Sequence, residues 1–440
     1  MSAIRRAGTI APMTTACPDP DLLLPPEVLD DWRGRIAEMA GEPVAELFAG
    51  AMVRTLARTV QVLDDGTVFV ITGDIPAMWL RDSATQMLPY LRIAGDSPDG
   101  ALADLLVGIV RRQLLYLRHD PYANAFNLEA SGRCHEPRDL ADDPWLWERK
   151  YEIDSLCFPF LLAHQVWAAT GRRDHLDETF VAAARAAVTI LEIETDHEQR
   201  SDYRFVRPDT VPIDTLTRDG RGTPVGPTGM TWAGFRPSDD ACLYGYNIPG
   251  NLMAIHCLRL LPELLPAEQA GLAAEATALA DRLAAGVAAY GVIEHPTHGQ
   301  IWAYEVDGLG NRLLMDDANM PSLLSLPLVA GIAVDDPLYR RTRDFVLSAD
   351  NPFFYRGSVA TGVGSPHTPP RYVWPIALAV EGLTAGSLDR ALELVHLIES
   401  TTAGTGHVHE GFDVDDDTRF TRPWFSWADS MFCALAMSLV

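Results

Sequence analysis

The stretch GDIPAMWLRDSATQMLPY, Gly73 to Tyr90, decides how this chain is read. Its apolar residues Leu80, Ala84, Met87 and Leu88, continued by Leu91, recur at helical spacing, so Arg81 and Asp82 fall in the first turn of a helix whose other face is core. Trp79 stands just ahead of them. An indole, a guanidinium fork and a carboxylate at one helix mouth suit a polyhydroxylated ligand, because the ring covers apolar C–H faces while the charged groups hold hydroxyls. A capped helix with a local salt bridge accounts for the same residues.

Outward from this stretch the pattern stays helical. An amphipathic run from Pro25 to Thr59 breaks near Gly41-Glu42-Pro43, and a β-rich run, Thr67 to Thr72, leads into the Gly73 stretch. Further helices are predicted over about 79–94, 99–118, 151–170, 175–194, 239–261, 264–289, 319–332, 335–349, 371–385, 387–402 and 423–439. Strand-like runs are isolated: Arg204 to Val206, and a hairpin between Gln300 and Leu314 turning at Val306-Asp307-Gly308. With no strand-helix alternation, helical hairpins in an α/α toroid fit better than an α/β sheet. No linker forces a second domain, so the expectation is a loose arm over 1–24 and one catalytic domain over 25–440.

Composition narrows the function. Of 440 residues, 48% are hydrophobic and 22% charged, as in a globular protein. The formal net charge of −25 argues against binding a phosphate backbone, so nucleic acid is not an expected partner. The first residues lack the apolar run of an export signal, and no window approaches the length of a membrane span. The six cysteines, Cys17, Cys134, Cys157, Cys242, Cys257 and Cys433, form no CxxC pair and read as reduced thiols, which points to the cytoplasm.

Three loops carry groups for chemistry. WLWERKYEID, Trp145 to Asp154, gathers Glu148, Glu152 and Asp154 beside Trp147, Lys150 and Tyr151, although a charged helix start would look the same. WAGFRPSDDACLYGYNIPGN, Trp232 to Asn251, sets Asp239 and Asp240 at an apparent helix N-terminus among Arg236, Tyr244 and Asn251. Two neighbouring carboxylates raise each other's pKa, which a general acid needs. GTGHVHEGFDVDDDTRFTRPWFSW, Gly404 to Trp427, places Glu410 behind His407 and His409. Its aspartates are not an EF-hand, since the sixth and twelfth loop positions counted from Asp413 hold Thr418 and Trp424. His407 with His409, and His295 with His298, lack a third ligand at a recognisable spacing, so no metal or other cofactor is expected. Nucleotide and acyl-transfer motifs are absent as well. Carboxylates, tryptophans and arginines remain, and glycoside hydrolysis needs little else.

The motifs DIPAMWLRDSATQMLPY, WERKYEIDSLCFP, GFRPSDDACLYGYNIPGN, MDDANMPSLLSLPL, GSPHT with RYVWPIAL, and GTGHVHEGFDVDDDTRFTRPWFSWADSMF together resemble the exo-α-1,6-mannosidases of glycoside hydrolase family 125. The resemblance runs from about residue 25 to the last residue. It implies an all-α (α/α)6 toroid of six helical hairpins and metal-independent, inverting removal of terminal α-1,6-linked mannose. It also implies a general base at Glu410 and a general acid at Asp239 or Asp240, of which Asp239 is preferred. Arg81 and Asp82 would hold the terminal sugar, with Asp316, Asp317, Asn319, His367, Arg371 and Trp374 lining the same pocket. Trp79, Glu152, Asp154, Arg236, Tyr244, Asn251 and His409 complete the expected substrate-binding set. Three departures from the family pattern stand out: Gly411 and Gly250 where Ser is expected, and Asp429 where Asn is expected, the last adding a charge near the site. An α-glucosidase or trehalase-like hydrolase on the same toroid, or a histidine-dependent sugar epimerase, is the alternative.

Overall fold

Gly41 sets the first corner of the chain. Its φ of 84° ends the helix Pro26–Ala40, and Pro43 in the next first turn starts Glu42–Thr59. The computed structural model describes residues 15–16 and 18–440. From Glu42 onward, six amphipathic helices form an outer ring among the described residues: Glu42–Thr59, Ala101–His119, Glu178–Ile193, Ala270–Gly286, Pro337–Val346 and Leu388–Ser400. Each is followed by an inner segment: Leu80–Thr85 with Leu88–Asp96, then Ile153–Thr170, Ile248–Leu264, Leu326–Val329, Pro375–Leu383 and Ser426–Ser438. The inner helices are buried on nearly every side, so the polar stripe of the outer helices is missing from them. Ser426–Ser438 packs on Glu42–Thr59 and Leu88–Asp96, which closes the ring. The fold is the (α/α)6 toroid expected from the sequence.

Several boundaries differ from the predicted ones. The 79–94 helix is interrupted at Gln86 and Met87, where Pro89 restarts it. The 239–261 helix begins only at Ile248, capped by the Asn247 side chain, because 239–247 forms a tight turn and the strand Tyr246–Asn247. Over 319–332 a single turn, Leu326–Val329, is helical. There the Asp316 carboxylate takes the backbone N–H groups of Leu323 and Leu324 at 2.8 and 3.0 Å, holding that segment as a closed loop. Arg204 to Val206 is not a strand, and the hairpin is Glu305–Val306 with Arg312–Leu313, while Gly299–Trp302 pairs with Val292–His295. The arm expected over 1–24 lies largely outside the described residues, as does Cys17. At its described end Thr15–Ala16 pairs with Leu63 and Val62, and Leu23 and Leu24 are buried. Among the described residues no helix is long and apolar enough to cross a membrane.

Candidate active site

Three short sheets each deliver a strand to the start of an inner helix. Met78–Trp79 pairs with Ala125–Phe126 and leads to Leu80, Tyr246–Asn247 pairs with Glu305–Val306 and leads to Ile248, and Tyr372–Val373 pairs with Gly411–Asp413 and leads to Pro375. The positive ends of the inner helices therefore face one end of the toroid, where first-turn carboxylates such as Asp82 and Asp154 are favoured. A cavity of about 470 Å³ opens there, within the roughly 300–1,000 Å³ of small-ligand pockets.

Arg81 is the hub of its floor. Its guanidinium lies 2.8 Å from Glu152, 3.1 Å from Asp154, 3.0 Å from Asp239 and 3.5 Å from Asp82. Four carboxylates around one buried cation cannot all be charged cheaply. Burial pushes Asp82 and Asp154 up to about 6, against the pull of Arg81, and pushes Glu152 well above the ordinary range. Burial works on Asp239 too, but Arg81, a hydrogen bond shared with Glu152, Lys150 and His367 outweigh it and hold that carboxyl low. Asn124 joins the group, its amide donating to Glu148 at 2.9 Å and to Glu152 and Asp239 at 3.3 Å.

Asp239 sits at φ 65°, a left-handed conformation that Asp adopts more readily than most residues. It caps a turn in which Arg236 N–H donates to Asp240 C=O and Asp239 N–H donates to Arg236 C=O, at 2.8 and 2.9 Å. The turn aims Asp239 into the cavity, where 23% of its side chain is exposed. Asp240 is more deeply placed. One oxygen meets His367 Nδ1 at 2.9 Å and the other is buried with no hydrogen bond. Burial would lower His367, yet its bond to Asp240 and the charges of Asp240, Glu410 and Asp239 raise it to about 9. Glu410 enters from the strand-bearing loop after Leu388–Ser400, with Arg422 Nη1 3.5 Å away and itself tied to Asp74 and Thr72.

The cavity wall brings together Trp79, Arg81, Asp82, Asp239, Asp240, Asn319, His367, Trp374 and Glu410 of the expected set. The others stand back from it. Glu152 and Asp154 lie behind Arg81, and Asp317 lies behind the acidic turn, accepting from Ser238 at 2.7 Å. Arg236 is bound to Glu305, which also accepts the backbone N–H of Tyr244, so both residues brace the turn rather than line the cavity. Asn251 is consumed by Thr231 and Asn247, and Asp316 by its own loop. His409 stacks on Phe420 and holds Pro423 C=O, which fixes the loop behind Glu410. Arg371 is exposed and paired with Asp415, outside the wall. Asp429 puts no free charge near the site, since Arg54, Val408 N–H and Trp424 Nε1 surround its carboxylate. A Cβ on Gly411 would stand 3.2 Å from Trp374, and one on Gly250 3.0 Å from the Asn247 cap.

Sequence reasoning did not assign a site role to Asn124, Arg207, Asp214 and Arg422. Arg207 and Lys150 meet Glu148 and Asp214 along one side of the cavity, in contacts that span up to 64 positions. Val211 and Ile213, exposed apolar residues, form the rim beside them. Only the single polar residue at each position was visible in the sequence, without its partner.

Metal-type spacing occurs elsewhere. Among the described residues, one group of three potential ligands, His295, His298 and Asp350, comes within 4.8 Å, so the fold supplies the third side chain that spacing could not reveal. It lies outside the cavity wall, and its atoms are already engaged. His295 Nδ1 accepts the N–H groups of Thr297 and His298, and His298 meets Asp350 at 2.9 Å.

A family model described as metal-independent alpha-mannosidase (GH125) matches residues 42–437. The meiotically up-regulated gene 157 protein of Schizosaccharomyces pombe is 38% identical over 427 residues, spanning 92% of this chain and 83% of that protein. A solved metal-independent alpha mannosidase of Streptococcus pneumoniae, in a non-productive complex with alpha-1,6-mannobiose, is 43% identical with a TM-score of 0.90, covering 95% of this chain and 99% of that one. A more distant glycosidase, 16% identical over 92% of this chain and 97% of its own, shares the fold at a TM-score of 0.51. The match from 42 to 437 takes in every loop that reaches the cavity, and the chain belongs to glycoside hydrolase family 125, the metal-independent α-mannosidases.

Proposed function

We propose that this protein is an exo-acting α-1,6-mannosidase that releases terminal mannose with inversion, Asp239 serving as general acid and Glu410 as general base. The observation that carries this reading is the set of unsatisfied polar atoms on the cavity wall. Asp82 Oδ2, which meets Arg81 Nε only at 3.5 Å, Asp240 Oδ2, Trp79 Nε1 and Trp427 Nε1 are buried without hydrogen-bond partners in residues that line the cavity, two acceptors and two donors suited to hydroxyl groups. A pyranose brings hydroxyls for them and apolar C–H faces for the indoles. The solved pneumococcal relative holding alpha-1,6-mannobiose supports the linkage.

Glu410 takes a proton from a water as that water attacks the anomeric carbon, and Asp239 gives a proton to the departing glycosidic oxygen. Single displacement needs space for the water, so the two carboxyls are expected roughly 6.5–9.5 Å apart in the complex. Asp239 suits the acid better than Asp240: it faces the cavity, whereas Asp240 is bound to His367 and left as an acceptor for a sugar hydroxyl. Arg422 steadies Glu410 from the side. Val211 and Ile213 on the rim offer an apolar shelf to the leaving sugar. The cysteines among the described residues are all free, which supports a reducing, cytoplasmic setting.

A substrate panel tests the reading. α-1,6-mannobiose should be cleaved far faster than α-1,2- or α-1,3-mannobiose, maltose or trehalose. Faster cleavage of a glucoside would move the protein to a different sugar specificity, and conversion of mannose without hydrolysis would make it an epimerase.

A further inference from the structure

The carboxyl aimed at the cavity has a second carboxyl directly behind it. Glu152 is fully buried and shares a hydrogen bond with Asp239, and both accept from the Asn124 amide at 3.3 Å. Two carboxyls so joined hold one proton between them, because only a protonated oxygen donates to its neighbour. The groups facing Glu152 are Arg81, Asp154, Asp239, Asn124, Ser155 and the Cys242 thiol. Arg81 is the one cation in direct contact, and it is already divided among four carboxylates. Glu152 is the deeper of the two and burial raises it, while Arg81, Lys150 and His367 hold the partly exposed Asp239 low against its own burial, so the shared proton favours Glu152 and the charge favours Asp239.

That distribution leaves the acid without the proton it must give. We propose that Glu152 is the positioning residue that stores the catalytic proton and passes it to Asp239 when substrate occupies the cavity. The inference rests on the reading of Asp239 as the acid. The Glu152 O–H bond breaks as the Asp239 O–H bond forms, and the Asp239 bond breaks in turn as the glycosidic oxygen takes the proton and the C–O bond cleaves. Glu152 is left a carboxylate, held by Arg81 at 2.8 Å and the Ser155 hydroxyl at 2.9 Å. The proton that Glu410 removed from water returns through solvent once the products leave, restoring both groups.

Glu152→Gln separates storage from packing. Its amide oxygen can keep Arg81 and Ser155 and its N–H can keep Asp239, yet it has no acidic proton to pass. The pH profile of kcat/KM would be measured on α-1,6-mannobiose and on α-mannosyl fluoride, whose leaving group needs no general acid. Expected for the variant is a loss on the order of 10²-fold on mannobiose, a basic limb displaced to lower pH, and fluoride hydrolysis near the parent rate. Equal losses on both substrates, or an unmoved limb, would overturn the inference. Asp239→Asn run alongside tests the underlying reading: if it still cleaves mannobiose normally, Asp239 is not the acid. If instead Asp239→Asn is selective for the fluoride while Glu152→Gln behaves as the parent, only the storage role fails. Should Glu152→Gln not fold, Ser155→Ala carries the test. Removing a donor to the Glu152 carboxylate strengthens its hold on the proton, so the basic limb should move to higher pH, and an unmoved limb would again refute storage.

Discussion

Glu305→Gln tests how the acidic turn is held. Glu305 is fully buried, with one oxygen on Arg236 Nε and the other on the N–H groups of Leu243 and Tyr244 at 2.9 Å. Glutamine keeps an acceptor for the backbone but leaves the buried Arg236 guanidinium without its counter-ion. An orphaned buried charge of this kind costs about 3–5 kcal/mol. Unfolding entropy of roughly 2.1 cal/mol/K per residue gives about 0.9 kcal/mol/K for a 440-residue chain, so the melting midpoint should fall by about 3–5 °C. Arg236 also anchors the turn through both its backbone groups, so misplacement of Asp239 should lower kcat, by up to about 10²-fold, more than it raises KM. Differential scanning calorimetry and initial rates on α-1,6-mannobiose measure both effects. Arg236→Met combined with Glu305→Gln removes both charges and should recover most of the lost stability. A midpoint unchanged within a degree, or a double variant no better than the single one, would refute the brace.

Glu410→Gln should lower kcat by about 10²–10⁴-fold while leaving mannobiose binding, measured by calorimetry, near the parent value; a variant of ordinary activity would move the base elsewhere. The His367–Asp240 pair gives a pH signature. With His367 raised to about 9 in the folded state, the stability it contributes is complete below the unfolded value near 6.5 and is lost as pH rises through 9. The ring is 39% exposed, so the effect is screened, but thermal midpoints of His367→Gln should decline less between those pH values than the parent's. Identical slopes would refute the pairing.

The parts legible in the sequence are those whose partners lie close along the chain. Trp79, Arg81 and Asp82 stand together at one helix start, and the cavity is built on them. The corner at Gly41 and the outer helices follow from local punctuation and amphipathic period. Ser238-Asp239-Asp240 resembles a helix cap in sequence, yet the left-handed Asp239 and the Phe235–Ala241 bridge turn it back on itself. That choice is made by Arg236 and Glu305, 69 positions apart. Inner segments were harder to bound, because buried on all sides they lose the period that marks an end. Asp316 read as a site residue through the family resemblance and Asn251 through its residue type beside the acids, and backbone groups claim both first. Asn124 carried no signal whatever: its importance lies in three carboxylates, two from the Trp145 to Asp154 stretch and one from the acidic turn.

The central claim, an inverting exo-α-1,6-mannosidase working without a metal, is tested most directly by proton NMR. α-1,6-mannobiose is mixed with enzyme and a chelator, and the anomeric signals are followed from the first minutes. The account predicts β-mannose ahead of mutarotation, at a rate the chelator does not change. α-Mannose appearing first would mean a retaining path with Glu410 displaced from the base role, and activity that returns only with a divalent ion would contradict metal independence.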